Sequence, residues 1–193
     1  MNHETLQELF VGQLRDIYDA EKQLVKTLPK IAKAAESSEL ADAIRSHLSE
    51  TETQVSRLEE IFGMVGVAAK GKPCKGMKGL LEEGDEAIQE EEKGTLRDLT
   101  LIADAQRVEH YEMAAYGTAI AIAEQLGLDG AVDLLQQTED EEKQADAKLT
   151  EVAMMLYSSA GEEEEEEKTA AAGSSRTIRS GRAKSGSTRK ASH

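Results

Sequence analysis

The chain has 193 residues and a net charge of −15, from 23 Lys and Arg against 38 Asp and Glu, with six aromatic residues and no Trp. At about 150 residues per domain this is one core with some excess. The acidic balance argues against nucleic acid as the ligand of the folded part, and a lone Cys, Cys74, excludes a disulfide framework or a four-Cys metal site. No apolar run approaches the roughly 18 residues needed to cross a bilayer, and the start MNHETLQELF lacks the apolar segment of a secretory signal, so the expected compartment is the cytoplasm, with no membrane partner. Two prolines, few β-branched or aromatic residues and abundant Ala, Leu, Glu, Gln and Lys predict an all-α protein.

In chain order, residues 6–35 carry Phe10, Leu14, Ile17, Leu24, Leu28 and Ile31 at the three-and-four spacing of one helix face. Pro29 is expected to kink this helix or end its first section, because it lacks an amide donor. Ser37 or Ser38 caps a second helix with the stripe Leu40, Ile44, Leu48, Val55, Leu58 and Phe62, stopped at Gly63 or Gly66. A long connection follows, with GKPCKG and a short acidic helix over about 77–93. Thr95 is the expected N-cap of the next long helix, with Asp98 at the first-turn position that the helix dipole favours, and Gly127 ends it. Asp129 is positioned to cap the last, with the stripe Val132, Leu135, Ala145, Leu149, Val152 and Leu156. Hairpin, long crossover, hairpin predicts a ferritin-like antiparallel four-helix bundle over residues 1–161, with a short extra helix in the crossover.

Residues 162–193 read as a separate tail: Glu162 to Glu167, then a Ser, Gly, Ala, Lys and Arg mixture whose single large apolar residue is Ile178. Such a segment buries too little to offset its ordering entropy, so disorder is expected. Residues 168–193 hold seven cations and no acid, which leaves residues 1–167 at −22.

Several acids stand where apolar residues belong. At 100° per residue, Glu21 lies between Ile17, Leu24 and Leu28, and Glu109 lies among Ile102, Tyr116 and Ile120. Glu142 is within about 20° of Leu149, while Glu112 and Asp146 sit about 60° to one side of their stripes. On the second helix Thr51 is central, His47 and Gln54 lean to one side, and Glu50 falls at the edge. One acid on an apolar stripe is ordinarily a solvated edge position. A central acid on three helices that two hairpins bring together is a different pattern, because buried carboxylates cost several kcal/mol each unless compensated. No Lys or Arg shares the stripe centres, so metal ions are the economical counter-charge. Glu21, Glu50, Glu109, Glu112, Glu142 and Asp146, with His47 as a further ligand, would balance two metal ions. Tyr18, Tyr111 and Tyr116 read as packing residues, one of which could hydrogen-bond a ligand carboxylate. Cys74, beside Lys72 and Lys75, reads as an incidental surface thiol.

The stretches DIYDAEKQL around Glu21, HLSETETQVSRLE around His47 and Glu50, VEHYEMAAYG around Glu109 and Glu112, and DEEKQADAKL around Glu142 and Asp146 resemble the stress-associated ferritin-like proteins of the YciE and YciF type. The resemblance spans residues 5–158 and implies a ferritin-like bundle, a homodimer, in bacteria and induced under stress. The broader di-iron pattern has one Glu on helices 1 and 3 and Glu-x-x-His on helices 2 and 4. This chain keeps Glu21 and Glu109 and adds Glu112, as rubrerythrins do. It offers His47-x-x-Glu50 in reverse order, and Glu142-x-x-x-Asp146 with no histidine. The set is oxygen-rich and suits iron or manganese over zinc or copper.

Two functions follow as expectations. The first is a dinuclear iron or manganese site that handles peroxide or oxygen, or sequesters iron, during stress, with reductant supplied by a partner because the chain has no second Cys. The second is a non-enzymatic structural or binding protein with a degenerate metal site, whose basic tail contacts DNA or another polyanion without reading sequence.

Overall fold

In the computed structural model, which describes the backbone of residues 2–180 and the side chains of residues 2–161, the chain forms five helices and, among those residues, no strand. They are α1 (His3–Ala34), α2 (Ser38–Met64), α3 (Lys75–Glu90), α4 (Thr95–Leu126) and α5 (Asp129–Ser180). Four long helices and one short crossover helix make the ferritin-like all-α bundle that the sequence pattern predicts. Spatial contacts divide the chain into Met1–Met154 and Met155–His193. In the second unit Tyr157 is exposed and the helical backbone reaches Ser180. The backbone of the segment expected to be disordered is helical as far as Ser180, and its side chains from 162 and its backbone from 181 lie outside the described residues.

Local chemistry explains most helix ends. Asn2 caps α1, its side-chain oxygen accepting from the Thr5 amide at 2.8 Å, and the Ser37 hydroxyl accepts from the Leu40 amide at 3.2 Å at the head of α2. Gly127 ends α4 at φ 67°, a left-handed conformation that a side chain would strain. Two expectations are corrected. Pro29 neither ends α1 nor interrupts it, because Leu24, Leu28 and Ile31 are buried on both sides of it and packing outweighs one missing hydrogen bond. Gly94, not Thr95, occupies the N-cap position of α4, and no side chain bonds there.

The antiparallel run of the helices sorts the core into layers. At one end Phe10, Leu14, Leu58, Phe62, Ala119, Ala123, Ala131 and Leu135 pack into one apolar cluster, with the Tyr18 and Phe62 rings edge to face at 5.6 Å. Toward the other end Leu28, Ile31, Leu40, Ile44, Leu101, Ile102, Leu149 and Val152 are buried. Between these two apolar layers stand Glu21, His47, Glu109 and Glu112, toward the middle of α1, α2 and α4, and Glu142, in the first third of α5. An apolar layer on each side keeps water from them, so their charge must be met locally.

Candidate metal centre

Each helix delivers its polar group on the stripe that faces the core. Glu21 on α1, Glu112 on α4 and Glu142 on α5 are at most 1% exposed, Glu109 on α4 is 2% exposed and His47 on α2 is 5% exposed. One ligand atom from each of His47, Glu109, Glu112 and Glu142 lies within 4.8 Å of the others. His47 Nε2 is 3.5 Å from Glu109 Oε1 and 3.8 Å from Glu142 Oε2, and its Nδ1 is 3.7 Å from Glu50 Oε2.

The hydrogen bonding of this cluster is incomplete in a systematic way. Buried and without a partner are Glu21 Oε2, both nitrogens of His47, Glu109 Oε2, both oxygens of Glu112, and Glu142 Oε2. Native interiors rarely leave such atoms orphaned. Two of the remaining oxygens are held: Tyr116, itself fully buried, donates to Glu21 Oε1, and Gln54 Nε2 donates to Glu142 Oε1 at 2.6 Å. Outside them, Arg57 forks onto Glu141 at 2.5 and 2.7 Å, and Gln54 Nε2 lies 3.2 Å from Glu141 Oε2.

Electrostatics agrees with the geometry. Burial, then the Glu142 charge, pushes the Glu21 carboxyl up to about 8. Burial also raises Glu109 and Glu112 well above the carboxylate range and raises Glu142, although His47 opposes the shift at Glu109 and Glu142. For His47, burial disfavours the charged ring, but Glu109, Glu50, Glu142 and Glu21 outweigh it and carry the imidazole up to about 10. Without a metal ion the cluster therefore retains protons as its counter-charge. Orphaned carboxylate and imidazole atoms converging in a dry core are the donor set that a hard or borderline divalent cation takes.

The seven residues singled out from the sequence do not all converge. Glu50 is partly exposed and reaches the cluster only through His47 Nδ1. Asp146 is set apart: its Oδ1 accepts from Gln106 Nε2 at 2.9 Å and lies 3.6 Å from Nε2 of the exposed His110. Four residues after Glu142 on α5, it is rotated from it by a net angle of about 40°, which places it at the edge of the core face, where Gln106 and His110 meet it. With Glu50 and Asp146 at the rim, the buried set is four carboxylates and one imidazole, a charge of −4 that two divalent ions match. Cys74 is also not where the sequence suggests. It is buried and caps α3, with Sγ 3.0 Å from the Tyr111 hydroxyl and 3.4 Å from Asp16 Oδ2. Tyr116 is the one of the three tyrosines that hydrogen-bonds a buried cluster carboxylate, and Gln54 holds a ligand oxygen that sequence reasoning did not assign to it. Gln54 stands seven residues after His47, two turns along the same face, which is the signal that was available.

The family model for a domain of unknown function, DUF892, matches residues 5–162. The chain belongs to that family. Protein YciF of Escherichia coli strain K12 is 44% identical over 155 residues, a stretch that covers 80% of this chain and 93% of that protein. The crystal structure of the E. coli stress protein YciF matches with a TM-score of 0.77 at 42% identity, over 79% of this chain and 97% of that one. YcfI from Rhodopseudomonas palustris matches with a TM-score of 0.74 at 43% identity, over 75% and 92%. A protein from Xanthomonas campestris pv. campestris has a TM-score of 0.63 at 19% identity, over 83% and 99%, and so shares the fold. The resemblance to YciF-type proteins read from the four stretches is thus met in both sequence and fold. Among the described residues no helix is long and apolar enough to cross a membrane.

Proposed function

We propose that this DUF892 protein serves in the bacterial stress response by holding two iron or manganese ions in the bundle core and handling peroxide or oxygen there. The observation that carries the reading is the set of orphaned ligand atoms on Glu21, His47, Glu109, Glu112 and Glu142, sealed between two apolar layers. Likeness to a stress protein supports the physiological setting. Bound there, such ions would supply Lewis acidity and one-electron redox chemistry toward an oxygen-containing oxidant.

The chain's own residues do the rest. Glu21, Glu109, Glu112 and Glu142 supply the negative charge, and His47 supplies the one softer donor. Tyr116 fixes the orientation of Glu21 through its hydroxyl, and Gln54 does the same for Glu142. The surrounding Leu, Ile and Phe side chains exclude bulk water, which strengthens every electrostatic interaction in the site. Electrons for repeated turnover come from outside the chain, since Cys74 is its single thiol.

The test is elemental analysis of protein purified without chelator from iron-replete and from manganese-replete cells, followed by peroxide consumption by the loaded protein. About two ions per chain and metal-dependent loss of peroxide are expected. Fewer than about half an ion per chain under both conditions would sink the metal reading. Full occupancy with no peroxide or oxygen consumption would reduce the function to metal holding.

A further inference from the structure

The oxygens of the cluster fall into two kinds, and the difference traces to α2. Glu112 has both oxygens free of hydrogen bonds, whereas Glu142 has only Oε2 free because Gln54 Nε2 holds Oε1 at 2.6 Å. Gln54 is wholly buried, and its amide nitrogen faces two carboxylates, Glu142 at 2.6 Å and Glu141 at 3.2 Å. Its orientation is therefore determined: flipping the amide would aim Oε1 at both carboxylates and lose both donors. Glu141 in turn cannot swing away, because Arg57 grips both of its oxygens, and the same guanidinium reaches the Thr138 hydroxyl at 3.3 Å.

From this chain of contacts we infer that Gln54 is a positioning residue, fixed by the Arg57–Glu141 pair, that turns Glu142 so that only Oε2 is offered to the cations. This rests on the metal reading above and adds which residues regulate the site. Arg57 and Glu141 bond directly to none of the orphaned ligand atoms, yet they set the denticity of one ligand. Two consequences follow. A two-oxygen ligand at Glu142 is disfavoured while Gln54 is in place, because Oε1 already accepts a hydrogen bond, and Glu112, with no donor on either oxygen, is the carboxylate freer to offer both.

The test uses the full chain, stripped with chelator and titrated with Mn2+, as wild type, Gln54→Met, Arg57→Met and the double variant. Gln54→Met keeps length and apolar bulk but removes the donor, and it should weaken Mn2+ binding about tenfold or more. Arg57→Met should weaken binding by a smaller factor, and should add nothing in the Gln54→Met background. Binding by Gln54→Met within about twofold of wild type, or additive effects of the two substitutions, would overturn the proposal. A metal-free readout separates this from the metal reading. In the nitrogen-15 spectrum of the stripped chain, the Gln54 side-chain amide, assigned by its disappearance in Gln54→Met, should show a strongly downfield proton that returns toward ordinary values in Arg57→Met. An ordinary Gln54 amide in the wild type overturns the proposal whatever the metal content. A downfield amide in a chain that takes up no Mn2+ or Fe2+ overturns the metal reading and leaves Gln54 as the residue that orients Glu142.

Discussion

Among the described residues, two of the places that bury carboxylates are built in opposite ways. Asp98, near the head of α4, is 1% exposed, but its oxygens accept from the Glu36 amide at 3.0 and 3.2 Å and from the Ser37 amide at 2.7 Å. Next to it Arg97 donates to the Ala34 carbonyl and to Glu36. Asp98 thus ties the turn between α1 and α2 to α4. At mid-bundle Glu21, Glu109, Glu112 and Glu142 are equally dry, with seven orphaned atoms between them and His47. Burial alone therefore does not mark a ligand site. What marks it is burial without partners, because a folded chain leaves that cost uncompensated only where something else supplies the compensation.

The largest expected contrast is with pH. Glu21 rises from 4.5 to about 8 and His47 from 6.5 to about 10, so both hold protons more tightly when folded. The stability they contribute is complete below their unfolded values and is lost as pH rises through the folded ones. Glu21 alone costs about 1.4 kcal/mol per pH unit between those limits. Thermal melts of chelated protein should therefore fall steadily from pH 5 to pH 8, and a flat profile would mean that these acids are solvated.

Asp98→Ala should lower stability by about 3 kcal/mol, or about 10 °C in melting temperature, since it leaves the Glu36 and Ser37 amides without their acceptor and opens a gap at a buried position. The loss should be the same with and without metal, as differential scanning calorimetry can show. Metal removal comes next. At a free Mn2+ concentration 100 times the dissociation constant, saturation should stabilise the wild type by about 2.7 kcal/mol, and EDTA should abolish that gain. Last, Glu112→Gln should raise the stability of the metal-free protein by about 1–2 kcal/mol, because it removes a buried carboxyl with no donor that must otherwise take up a proton to be tolerated there. The same substitution should erase most of the gain from Mn2+. Opposite signs for Asp98→Ala and Glu112→Gln in metal-free protein are the sharpest form of the comparison, and equal signs would break it.

Much of this was legible without coordinates. Helical periodicity located four long helices and the crossover helix, and Ser37 and Gly127 marked ends because capping and left-handed backbone depend on the residue itself. Glu21, Glu109 and Glu142 stood at stripe centres, so their burial followed from the same 3.6-residue period. Glu50 and Asp146 are a turn or less from true cluster members, and a helical wheel cannot decide whether a neighbour at about 60° faces the core or the rim. Cys74 looked exposed because its lysine neighbours are, but Tyr111 and Asp16, brought by α4 and α1, cover it. Asp98 read as a first-turn acid suited to the helix dipole, and the structure adds that it is a buried clasp.

What the sequence by itself determined is the period, the helix ends and the presence of acids on apolar stripes, all properties of residues within a few turns of one another. What only the tertiary structure decided is partnership. Whether Asp98 meets two amides, whether Gln54 meets Glu142, and whether Glu112 meets nothing depend on atoms 40 to 90 residues away in the chain, which become neighbours only when the bundle closes. The same closure excludes the water that would otherwise satisfy each of these groups, and so makes the unpartnered ones count.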